Sequence, residues 1–113
     1  MIDFSKKTIQ MLIVNTTYNV SESIEEEWKE WVLIEYIPQV IAPGLLNNPR
    51  FHRLLIENEP GNKSYALQFE VEDLDALELW FKNHSAEIQK CQSNKFQEKV
   101  LGFTTIMEIL DLI

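Results

Sequence analysis

The sequence predicts an α+β fold of the ferredoxin-like kind: β-α-β-β-α-β, a four-stranded antiparallel sheet with two helices on one face. Three observations lead there. The length, 113 residues, suits a single domain spanning 1–113. Two segments, around residues 24–34 and 74–81, repeat apolar side chains at helical spacing. They alternate with runs rich in β-branched and aromatic residues in the order of a split βαβ unit.

Residues 9–20 read as the first strand. Ile9, Met11 and Ile13 lie on one parity and Leu12, Val14 and Tyr18 on the other, so a cover is expected on both faces. The run is broken by Gln10 and Asn15 and is expected to be neither a leader nor a membrane span. Asn15 and Thr17 interrupt one parity, and Thr105 does so in the last strand. Were the two strands neighbours, these residues would form a polar patch, or simply an ordinary sheet pair.

Ser23 and Glu26 fit a capping box, and Glu25, Glu26 and Glu27 sit in the first turn, where they favour the helix dipole. Ile24, Trp28, Trp31, Val32 and Ile34 follow at helical spacing. Pro38 removes a backbone donor, so the helix should end or kink near Ile37. A short extra turn follows through Ile41 and stops at Pro43-Gly44. "LLNNPR" reads as a loop and "FHRLLIENE" as a strand. Pro60-Gly61-Asn62-Lys63 reads as the turn into "SYALQFEVE". In that strand Tyr65, Leu67, Phe69 and Val71 alternate with Gln68, Glu70 and Glu72. Asp73 is an N-cap. Leu74, Leu77, Trp80 and Phe81 form the stripe of the second helix, with a bend expected around residues 83–85. Residues 100–110 make the last strand, with Phe103, Thr105, Met107 and Ile109 on one parity.

Helices on one face leave the other face bare. First and last strands apolar on both parities make that face an association surface, which predicts a homodimer of facing sheets. The formal net charge of −8 argues against nucleic acid and against an anionic membrane. Arg50, His52 and Arg53 read as a solvated strand edge. The single cysteine, Cys91, excludes an intrachain disulfide and points to a reducing, cytoplasmic setting. With only three glycines the chain offers no phosphate-cradling loop, and no cofactor is expected.

Candidate site residues come from the aromatic and titratable inventory. Trp28 and Trp31 read first as packing and second as a ligand wall, joined by Tyr36, Asn15 and Trp80. His84 lies one helical turn after Trp80, and its near-neutral reference pKa suits acid–base work. The competing reading is a histidine that caps or bends the second helix. Glu87 and Cys91 continue its face, but no recognised zinc spacing is present, so no metal site is expected.

"EEEWKEWVLIEYIPQVIAPGLL", "RFHRLLIE", "SYALQFEVE", "NHSAEIQ" and "KFQEKVLGFTTIMEIL" resemble a small bacterial domain-of-unknown-function family. The likeness covers residues 12–110. It implies a dimeric α+β barrel, a class that includes monooxygenases, haem-degrading enzymes, isomerases and ligand-binding modules. One departure stands out: the family often carries a histidine just before its Ile-Pro pair, and here that place is Tyr36. The functional expectation is a homodimeric binding or association module with an internal pocket for an apolar or aromatic small molecule. The alternative is a cofactor-independent monooxygenase or isomerase, with Trp28, Trp31, Tyr36 and His84 around the substrate.

Overall fold

A computed structural model describes residues 11–55, 60–85, 90, 92 and 94–110. The elements are β1 (Leu12–Ser21), α1 (Glu25–Trp31), α2 (Ile37–Ile41), β2 (Leu46–Arg53), β3 (Asn62–Val71), α3 (Leu74–Trp80) and β4 (Val100–Glu108). The four strands form one antiparallel sheet in the order β2-β3-β1-β4, and the helices pack on one face. This is the ferredoxin-like arrangement that the element order predicts.

Register decides what each face carries. Val14 pairs with Phe69 on one side and Ile106 on the other; Tyr18 pairs with Tyr65 and Gly102. Leu12, Val14, Tyr18 and Val20 therefore share the helix-covered face with Tyr65, Leu67, Phe69 and Val71, and all eight are buried. Trp28, Val32, Val40 and Leu46 close this core from above and from the sheet's edge. Each large apolar side chain buried in this way contributes about 1.5–3 kcal/mol.

The first helix kinks where proline predicts. A π-helical turn, Val32–Tyr36, joins α1 to α2, and the Ile37 N–H reaches back to the Val32 carbonyl. Pro38 cannot donate and crowds the preceding turn, so the backbone widens just before it. Helix resumes to Ile41, and Gly44 takes φ 83° beyond it. Asp73 caps α3, its Oδ1 accepting from the Ala76 N–H at 2.8 Å. The second helix departs from α geometry at Phe81–Ser85, the stretch where a bend is expected.

Three expectations need correction. "LLNNPR" is strand, not loop: β2 begins at Leu46, which pairs with Val71. A register shift between Asn47 and Arg50 absorbs the irregular residues, with Asn48 at φ 51° and Pro49 on the sheet's edge. The Asn48 side chain fixes the bulge by donating to Glu70 at 2.7 Å. The capping box does not form. A 3-10 turn, Glu22–Ile24, precedes α1; Ser23 Oγ pairs with Ser21 Oγ at 3.0 Å, and Ile24 occupies the N-cap. The described part of β1 is apolar on one face only, because Asn15, Thr17 and Asn19 share a parity with Ile13. Ile9 lies outside the described residues. Among them, no helix is long and apolar enough to cross a membrane.

Candidate functional site

The helix side of the sheet carries a chain of aromatic rings. Trp28 meets Tyr18 at 5.1 Å, Tyr65 at 5.2 Å and Phe51 at 5.6 Å between centroids. Its Nε1 is buried with no hydrogen-bond partner among the described residues. Trp31, one turn on, points elsewhere: it stacks on Tyr36 at 5.1 Å and meets Phe96 at 5.4 Å. The Tyr18 and Tyr36 phenols share a hydrogen bond that ties the two groups together. Tyr65 donates from its hydroxyl to Glu25 Oε2 at the start of α1.

Electrostatics keep all three phenols protonated. Burial pushes Tyr18 well above the ordinary tyrosine range, and the neighbouring Tyr36 adds to it. Burial also raises Tyr36. Tyr65 is raised by burial first and then by its bond to the Glu25 carboxylate.

Trp80 anchors the second helix. Its Nε1 donates to the Val40 carbonyl at 3.1 Å, joining α3 to α2. His84 sits half-buried in the turn after α3, its ring 6.5 Å from that of Trp80. Glu87 and Cys91, which continue its face in sequence, lie outside the described residues.

The opposite face of the sheet is polar at its centre and apolar along β4. Gln68 Nε2 donates to Asn15 Oδ1 at 3.1 Å, and Asn15 Nδ2 donates to Thr17 Oγ1 at 3.3 Å. Asn15 pairs with Thr105, so the polar patch read from strand parity is present. Thr16 and Thr104 also share a hydroxyl bond of 2.9 Å, on the helix-side parity. Leu101, Phe103 and Met107 line the β4 margin of the open face and are exposed. Arg50 and His52 lie at its β2 margin, also exposed, with Arg53 on the other parity.

The hollows among the described residues include two that bear on a site. One, about 180 Å³, opens on the bare face of the sheet and includes Thr17, Asn19, Ser64, Leu101 and Phe103 in its lining. The other, about 230 Å³, lies outside α1 between Glu27, Glu30, Trp31, Glu35 and Lys95. Of the six candidate residues, Trp31 pairs with Tyr36 and Trp80 with His84. Trp28 joins the first pair through Tyr18, which meets its ring and bonds to Tyr36, and Asn15 lies across the sheet from them all. Sequence reading singled out neither Asn19 nor Ser64, because only register aligns them with Thr17. It also missed Tyr18 and Tyr65 as hydrogen-bonding groups, since in a strand pattern each counts as one more apolar position.

Solved structures of several small proteins share this fold. An ethyl tert-butyl ether D (EthD) family protein from Bacillus halodurans aligns with a TM-score of 0.68 at 13% identity, covering 88% of this chain and 99% of that one. A dimeric ferredoxin-like protein from an uncultured marine organism aligns at 0.56 and 14%, covering 92% and 99%. An antibiotic biosynthesis monooxygenase, so assigned provisionally, from Bacillus cereus aligns at 0.59 and 14%, covering 90% and 95%. At these identities the likeness is one of fold. No curated protein matches the chain. A family model does, along residues 11–110 and so over nearly the whole described fold: the chain belongs to the domain of unknown function DUF4286.

Proposed function

We propose that this protein is a small homodimeric binding and association module. A second copy covers the bare face of the sheet, and the pair encloses a pocket for an apolar or aromatic small molecule. The observation that carries this reading is the β4 margin of that face, where Leu101 and Phe103 are 64% and 66% exposed. Large apolar side chains aligned along one edge of a bare sheet favour association. A twofold partner supplies the same surface in return. The dimeric description of one structural neighbour supports the same arrangement.

The rival reading, a cofactor-independent monooxygenase or isomerase, needs Trp28, Trp31, Tyr36 and His84 around one substrate. Among the described residues Trp28, Trp31 and Tyr36 are linked through Tyr18 in packed aromatic core, while His84 stands apart against Trp80, which favours the binding module. The net charge of −8 supports a partner other than nucleic acid, and the lone cysteine supports a cytoplasmic setting.

Light scattering tests the dimer. Wild type at micromolar concentration should give twice the 13.3 kDa chain mass. Phe103→Glu should fall to the single-chain mass with an unchanged circular dichroism spectrum. A wild-type protein that runs at the single-chain mass overturns the proposal.

A further inference from the structure

We infer that the hollow on the bare sheet face is the ligand subsite, and that it takes a neutral single-ring aromatic molecule bearing a carbonyl or hydroxyl oxygen. The inference rests on the pocket reading above and gives the pocket a position and a ligand class.

The site is a grid set by register. Ser64, Asn19 and Leu101 align across β3, β1 and β4 in one row; Ala66, Thr17 and Phe103 align in the next. Hydroxyl and amide groups therefore occupy the β3 and β1 side, while the two large apolar side chains stand on β4. None of Thr17, Asn19, Ser64, Leu101 and Phe103 carries a charge. Within this lining a carboxylate or phosphate meets no cation and an amine no carboxylate; His52, in the Ala66 row, and Arg50 stand on β2, with β3 between them and β1. Burying either charge without a partner is costly, so the lining selects a neutral molecule.

Size sets the next limit. A dry cavity of about 150 Å³ accommodates benzene. The hollow of about 180 Å³ thus suits one six-membered ring with a small substituent. Phe103 and Leu101 offer the ring its apolar wall.

The hydrogen-bond chain sets the polar end. Gln68 Nε2 donates to Asn15 Oδ1, and Asn15 Nδ2 donates to Thr17 Oγ1. Each bond runs toward the hollow. With its oxygen accepting from Asn15, Thr17 meets an incoming molecule as a donor. The complementary ligand atom is an acceptor oxygen, and an aryl ketone or a phenol supplies one beside its ring.

The test uses the full-length protein and acetophenone as probe, with amide chemical shifts followed by NMR and oligomeric state by light scattering on the same sample. Acetophenone should give saturable shifts centred on residues 17, 19, 64, 101 and 103. Toluene, which lacks the oxygen, and benzoate, which adds a charge, should bind about tenfold more weakly or worse. Thr17→Val keeps the shape and removes the donor, so it should weaken acetophenone about tenfold; Thr17→Ser should restore it. Saturable shifts at the Trp28, Trp31 or Trp80 indoles, with none at the sheet, would overturn the assignment while leaving a pocket elsewhere. A dimer that gives no saturable shift with acetophenone overturns the inference and spares the dimer. A monomer that binds acetophenone in the hollow does the reverse.

Discussion

Trp28 and Trp80 offer a controlled comparison, because the same substitution should act on them in opposite ways. Both are buried, at 0% and 5% exposure, but of the two indole N–H groups only that of Trp80 has a partner among the described residues, the Val40 carbonyl at 3.1 Å. Replacing either with phenylalanine shrinks the side chain by roughly 40 Å³, which at about 24 cal/mol per Å³ costs about 1 kcal/mol. At Trp80 the change also strands the Val40 carbonyl, near the end of a helix where acceptors lack intrahelical partners. That adds about 1–3 kcal/mol, for a total loss of about 2–4 kcal/mol. At Trp28 the change deletes a desolvated donor and recovers about 1–3 kcal/mol, so the cavity cost is offset or exceeded. Trp28→Phe should therefore be neutral or stabilising, and Trp80→Phe less stable than it by at least about 2 kcal/mol. In a domain of this size, that separates the melting temperatures by about 8 °C. Urea unfolding of both variants at one fixed protein concentration reads the difference directly. Equal losses, or a larger loss at Trp28, would refute the reasoning and mean that the Trp28 N–H is hydrogen-bonded in solution.

Further outcomes follow from the same geometry. All three tyrosines have folded-state pKa values above the ordinary value. An unfolded tyrosine titrates near ~10, so above that pH the unfolded state releases protons that the folded state keeps. Stability should hold through neutral pH and then fall as pH rises above about 10, by about 1.4 kcal/mol per pH unit per phenol. Tyr65→Phe should remove about a third of that slope, and tyrosinate absorbance should rise together with unfolding; ionisation that precedes unfolding would contradict it. Asp73→Ala should cost about 1 kcal/mol by removing the cap on Ala76, while Asp73→Asn should be nearly neutral. Gly102→Ala would set a methyl 2.9 Å from the Tyr18 ring. It should cost about 1–3 kcal/mol in a melting experiment, and a neutral result would mean that the ring shifts freely.

Where sequence reading succeeded, a local rule and the tertiary contacts agreed. Pro38 forced the change in helix geometry, and Asp73 had a cap to make. The strict alternation in β3 matched a strand covered on one face only. Where it failed, a distant partner decided. Asn48-Pro49 has the composition of a loop, yet Leu46 is held against Val71 and the strand absorbs the extra residue as a bulge. Ser23 and Glu26 match a cap by spacing, but the 3-10 turn moves the helix start past Ser23. The tryptophan pair shows the limit for site prediction. Spacing put Trp28 and Trp31 one turn apart, but their packing sends them to different neighbours. Parity suggested the polar patch only on the condition that the first and last strands are neighbours, which the sheet order supplies; its position beside Ser64 and Leu101 needed a register that no strand pattern encodes.

The bulge in β2 also bears on how far assembly can spread. A β-sheet grows by adding strands at its edges, and among the described strands the edges here are unequal. The β2 edge holds a register break at Asn48, a proline with no N–H to offer and two arginines, features that discourage a further strand. The β4 edge is regular and apolar. In a dimer of facing sheets the β2 edge of each copy is blunted in this way, so any lateral strand addition among the described strands would have to run through β4.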